Sequence, residues 1–130
     1  MNLSGRVLSG LRAPAPEAPL PDLLVLVDDF AIPAGTFRMR SGGSAGGHNG
    51  LRSIENTVGT RLYPRLRVGV GPVPAGMPHH DFVLEPMPRE DRTLVEDLLP
   101  EMMDAVECWM ADGIETAMNR FNRKTKAGDE

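Results

Sequence analysis

Between residues 42 and 50 the chain reads GGSAGGHNG, five glycines in nine positions, and then runs as LRSI into a helical pattern. No other stretch limits the fold as much. Glycine gives the backbone freedom at an entropic cost, so this run reads as a turn feeding a helix over 48–58, shaped for close approach to something. It is not a phosphate loop of the Gly-Lys-Ser/Thr type, because no such triplet follows the glycines. Nor is it a dinucleotide fingerprint, since the GxGxxG spacing is absent and the preceding TFRMR segment is wet on one face. What it can present is a set of backbone N–H groups, with His48 and Asn49, at a helix N-terminus, where anionic or carbonyl oxygens are favoured. Asn49 both donates and accepts, which suits a grip on a peptide backbone. Taken alone it is first a helix cap, because asparagine caps helices well, and His48 alone is first a structural histidine.

The rest of the chain supplies strands and helices in alternation. LSGRVLSGLR (3–12) spaces its apolar residues as a helix does. APAPEAPLPD (13–22) is a proline-rich connector that can neither continue a helix nor join a sheet ladder. LLVLV (23–27) is a continuous apolar run, read as a buried strand that ends at Asp28-Asp29. IPAG turns the chain into TFRMR (36–40), where Phe37 and Met39 alternate with Arg38 and Arg40. RLRVGVG (65–71) repeats that alternation, which predicts two strands whose basic faces lie side by side. Residues 72–80 read as loop and DFVL (81–84) as a short strand or turn. From Pro88 to about Phe121 the pattern is helical, with Pro100 in the first turn of a second helix and Gly113 as a break. Met102, Met103, Met110 and Met118 read as core filling in those helices. Together these elements predict an α/β layer fold with a mixed sheet flanked by helices.

Charge is sorted along the chain. The net charge is −4, yet residues 36–80 hold six arginines against Glu55, while residues 81–115 hold eleven acids against Arg89 and Arg92. The basic stretch surrounds the glycine-rich turn, which fits an anionic partner there, although a solvated arginine face is an equally ordinary reading. Cys108 is the sole cysteine, so a disulfide framework and a cysteine-based zinc site are both excluded. His79-His80-Asp81 looks metal-like at first sight. Adjacent histidines on an extended segment point in opposite directions, however, and no other ligand cluster accompanies them. Aromatic residues make up only 5% of the chain, which argues against a base-stacking platform. No apolar run approaches a membrane span and no signal-peptide pattern is present, so the cytoplasm is the simple expectation. Asp28 at the end of an apolar strand could orient a histidine base, or be a solvated turn acid.

Taken in order, MNLSG, LVLVDDFAIPAG, GGSAGGHNGLRSI, RLRVGVG, DFVL and AMNRFN resemble the bacterial peptidyl-tRNA hydrolase family, from Met1 to about Asn122. The resemblance implies one domain over residues 1–122, with 123–130 as a polar tail. It implies a monomeric cytoplasmic enzyme without metal or cofactor, which hydrolyses the ester joining a peptide to the terminal ribose of tRNA. It also implies roles. Asn2 and Asn49 grip the peptide and terminal-nucleotide end, Asp28 orients the catalytic histidine, and Arg40 and Arg67 clamp tRNA phosphates. Gly46, Gly47 and His48 support the loop. The three residues Asn2, Asp28 and Asn49 should then converge on one cleft. Relatives carry a further strand, a GNPG turn and a His-Asn pair with the catalytic histidine ahead of the point where this sequence opens. None of His48, His79 and His80 takes that histidine's place. The resemblance therefore implies an N-terminally truncated member in which turnover by these 130 residues alone is not expected. The alternative is a catalytically silent tRNA- or RNA-binding relative.

Overall fold

The computed structural model describes residues 10–43, 49–71 and 88–122. Three strands, β1 (Val25–Pro33), β2 (Phe37–Arg40) and β3 (Arg65–Gly71), form a mixed sheet in the order β1-β3-β2. The predicted neighbours β2 and β3 are adjacent, and β3 is the central strand. Chain contacts divide the protein into two compact units, Met1–Val25 with Arg40–Arg65, and Leu26–Met39 with Leu66–Glu130.

In the first unit, α1 (Asn49–Val58) grows out of the glycine-rich turn as the sequence predicts. Leu51, Ile54 and Val58 are buried at 2%, 3% and 0% exposure, and their spacing of three and four residues makes one apolar face. The last turn of α1 is closed from outside the helix. Gly59 N–H donates to Glu55 O (2.9 Å), Ala13 N–H to Val58 O (2.7 Å), and Arg12 Nη1 to Thr57 O (3.0 Å). A cation there also meets the negative end of the helix dipole. The proline-rich segment is irregular, as expected, but it is tied down. Leu20 N–H donates to Leu62 O (2.8 Å), and the Thr60 hydroxyl donates to Pro16 O (2.8 Å).

The second unit holds most of the sheet together with α2 (Arg89–Asp97), α3 (Leu99–Asp112) and α4 (Ile114–Phe121). β1 differs from the buried run read in the sequence. Val25 and Val27 are buried, whereas Leu26 is 53% exposed, and the strand continues through both aspartates to Pro33. Period-two alternation explains the first point, because one face of the strand is covered and the other is not. The turn at Pro33–Thr36 forms where IPAG predicts it, with Thr36 N–H and the Thr36 hydroxyl both donating to Pro33 O (3.3 and 2.8 Å).

β1 and β3 meet at close quarters. A Cβ built on Gly71 would strike the Phe30 carbonyl oxygen, and one on Gly69 would strike the Pro33 carbonyl oxygen and lie 2.8 Å from Ile32 Cγ2. The two glycines of RLRVGVG are therefore there for approach, not for flexibility.

The C-terminal helices break where proline and glycine predict. Pro100 occupies the first turn of α3, and Gly113 separates α3 from α4 with φ of 93°, a conformation that side chains disfavour. α3 buries Met102, Ala105 and Cys108, while α4 buries Ala117. Met103 and Met110 are 62% and 72% exposed and do not fill the core. Seven residues apart, they share a stripe on a different side of α3 from Met102 and Ala105. The end of α4 is fastened to the outer strand of the sheet. Met39 N–H donates to Asn122 Oδ1 and Asn122 Nδ2 donates to Met39 O, both at 2.8 Å, and the rings of Phe37 and Phe121 lie 6.4 Å apart.

Two outcomes follow for stability. Asn122→Ala would leave the N–H and C=O of a wholly buried residue without partners, and should lower unfolding free energy by about 2–3 kcal/mol in urea titrations. Gly71→Ala would force β1 off β3 and should cost about 3 kcal/mol or more by the same measurement. A Gly71→Ala protein as stable as the parent would show that the strands part without penalty.

Candidate functional site

The residues singled out from sequence divide into those with a described place and those without. Asn2, Gly46, Gly47 and His48 lie outside the described residues, as do His79 and His80, and with Asn2 the expected convergence on Asp28 and Asn49 lies outside them too. Asn49 is the first residue of α1, so the helix begins one residue later than the sequence pattern predicts and Asn49 lies within it. Asp28 stands exposed in the middle of β1. That corrects the expectation that the aspartates end the strand: they are part of it, and one of them is held by the neighbouring strand.

Strand alternation sends adjacent side chains to opposite faces, and Asp28 and Asp29 consequently have different surroundings. Asp28 is solvent-facing. Asp29 is half-buried, with its Oδ1 accepting the Ala31 N–H (2.8 Å) and its Oδ2 accepting from Arg67 Nη1 (3.2 Å). The side chains of Arg67 and Asp29 keep 28% and 17% of their exposure. Arg67, expected as an open phosphate clamp, is thus a half-buried arginine joined to a carboxylate across β1 and β3. The sequence carried a signal for this pairing: two consecutive acids in a strand cannot both face one way.

The arginines of the basic stretch are not alike. Arg40 ends β2 exposed, and its side chain makes no ion pair or hydrogen bond among the described residues. Arg61 reaches Glu55 at 3.9 Å, an exposed pairing of little energetic weight. Arg65, read from sequence as part of a wet face, is fully buried. Its guanidinium carbon sits 4.2 Å from the centre of the Tyr63 ring, and its Nη2 donates to Arg61 O (2.8 Å). A flat, weakly hydrated cation can be buried this way over an aromatic face. Arg65 is therefore structural, while the outward charge of the stretch rests on residues such as Arg40. No group of three or more metal-ligating side chains occurs among the described residues. No described helix is long and apolar enough to cross a membrane.

Comparison with known proteins gives one consistent answer. The family model for peptidyl-tRNA hydrolase matches residues 1–128. A peptidyl-tRNA hydrolase of Gemmatimonas aurantiaca is 48% identical over 126 residues, covering 95% of this chain and 66% of the relative. One from Symbiobacterium thermophilum is 44% identical over 122 residues, covering 94% and 64%. The crystal structure of peptidyl-tRNA hydrolase from Acinetobacter baumannii superposes with a TM-score of 0.73 at 30% identity, over 92% of this chain and 60% of that one. The chain spans a little under two thirds of the length of the curated relatives it matches.

The contrast between the arginines is testable. Arg65→Ala removes donors from the carbonyls of Arg61 and Tyr63 and should lower stability by about 2–3 kcal/mol. Because its guanidinium does not reach solvent, the same change should leave the salt dependence of anion binding where it was. A flattened salt dependence in a folded Arg65→Ala protein would contradict that assignment.

Proposed function

The chain belongs to the peptidyl-tRNA hydrolase family, and on that premise we propose that the protein hydrolyses the ester between a peptide and the terminal ribose of tRNA, releasing peptide and free tRNA. The observation that carries the proposal is the family match across residues 1–128, which takes in the glycine-rich turn, both aspartates and the arginine-bearing strands.

Ester hydrolysis needs a water stripped of its proton, a held carbonyl and an anchored leaving group. Asp28, facing solvent from β1, is placed to orient the imidazole of the family's catalytic histidine, a group that none of His48, His79 and His80 supplies. The amides of Asn2 and Asn49 hold the peptide and terminal-nucleotide end, since an amide can donate to a carbonyl and accept from an N–H at once. Gly46, Gly47 and His48 support that grip. Arg40 and Arg67 hold tRNA phosphates, and the substrate is the partner that the basic stretch serves. The opposed directions of Asp28 and Asp29 support a division of labour, with proton chemistry on one face of β1 and phosphate anchoring on the other. We further propose that the protein acts in the cytoplasm as a monomer. A second reading, tRNA binding without cleavage, is favoured by one observation: none of His48, His79 and His80 matches the family's general base.

One pair of assays separates these readings. In a protein extended by a segment that carries the GNPG turn and its histidine, release of free tRNA from peptidyl-tRNA, with Asp28→Asn reducing kcat by ~10²–10⁴-fold while tRNA binding persists, supports hydrolysis with Asp28 in its assigned role. Binding without release supports the second reading, and the absence of both overturns the two together. Arg40→Ala should weaken tRNA binding and flatten the plot of log affinity against log salt by about one unit of slope. An unchanged slope would remove Arg40 from the phosphate contacts.

A further inference from the structure

We infer that Asp29 is a positioning residue that presets Arg67 for a phosphate, an inference that rests on the tRNA-binding part of the function proposed above. The carboxylate is fixed at both oxygens. Oδ1 is held by the Ala31 N–H at 2.8 Å, and Oδ2 receives Arg67 Nη1 at 3.2 Å. It cannot swing away without giving up a backbone hydrogen bond, so it acts as a stationary anchor rather than a mobile counter-charge.

Among the described residues Arg67 is held by that anchor alone. Its Nε is buried and makes no hydrogen bond, and the fork has no other partner among the described residues. Arginine carries five N–H donors in a rigid plane. One contact to Asp29 uses part of that set and fixes the plane. With Nε buried, it is the outer Nη donors of a side chain that keeps 28% exposure that are left for an incoming anion. Phosphate oxygens match a guanidinium fork in two-point geometry.

The carboxylate's charge opposes phosphate binding, so the benefit must lie in order. An unanchored arginine loses rotamer freedom when it binds, and holding it in place beforehand removes that cost. Asp29 therefore trades net charge for direction. A carboxylate that merely competed for Arg67 would have the opposite consequence, because its removal would strengthen anion binding.

The test uses the affinity of the purified protein for deacylated tRNA across a salt series. Arg67→Ala should weaken binding about tenfold and flatten the salt slope by about one. Asp29→Asn keeps the shape but loses the acceptor at Oδ2, and should reproduce most of both effects. The double variant should be no weaker than Arg67→Ala alone, because residues acting through one contact are non-additive. Asp29→Glu, which retains a carboxylate, should recover the salt slope. Tighter binding by Asp29→Asn, or losses that add in the double variant, would overturn the inference. So would an Asp29→Asn protein that loses thermal stability while its salt slope stays unchanged. If Arg67→Ala itself leaves affinity and slope untouched, the phosphate role of Arg67 fails first. If only Asp29→Asn is without effect, the phosphate role stands and the positioning role alone is lost.

Discussion

The close passage of β1 over the glycines of β3 is the contact on which the sheet depends. β3 lies between β1 and β2, so any displacement of β1 disturbs the central strand and through it the outer one. With side chains at 69 and 71, the carbonyls of Phe30 and Pro33 could not stand where they do. That same proximity brings the Asp29 carboxylate within reach of Arg67. A backbone requirement at one end of β3 thereby underlies an electrostatic arrangement nearer its middle. This is why glycine, a poor strand former in general, occupies two of the seven positions of the central strand.

Local patterns in the sequence were informative wherever one short-range rule decided the outcome. The helix after GGSAGGHNG, the alternation in β2, the turn at IPAG and the breaks at Pro100 and Gly113 all belong to this group. In each, backbone geometry and a single apolar face point the same way. The reading failed where the answer depended on which neighbour a strand would acquire. LLVLV looks buried on both faces only if something covers the side of Leu26. RLRVGVG looks half-wet only if the strand is not central. Arg65 is the clearest instance, since nothing in an alternating pattern announces that Tyr63, two residues earlier, will lie beneath its guanidinium. Met103 and Met110 misled for a different reason, because methionine is common in cores and composition is silent about which side of a helix faces inward.

The same limits apply to the candidate site. The family motif brought Asp28, Asn49, Arg40 and Arg67 to notice, and the strand positions of Asp28, Arg40 and Arg67 are consistent with side chains at or near the surface. Asp29 had no motif of its own and was hidden beside Asp28. Only pairing between strands separates the two, because their difference is one of direction rather than residue type. A chain with a net charge of −4 can still offer an anion a welcoming local field, provided its acids are confined elsewhere. Eight acids on α2 and α3 are separated in sequence from the six arginines of the basic stretch.

Asn122 has a consequence reaching outside the single chain. Among the described residues β2 is the last strand of its sheet, and a terminal strand offers unpaired N–H and C=O groups on which another polypeptide can be templated. At Met39 both groups are already taken by one side-chain amide. An amide has the same donor and acceptor as a peptide unit, so Asn122 imitates one residue of a further strand and then stops. With only four residues in β2, a single plug occupies a substantial part of that border, where Phe37 and Met39 are buried. Loss of this stopper would expose the protein to intermolecular β-pairing and hence to aggregation at high concentration, even in molecules that remain folded.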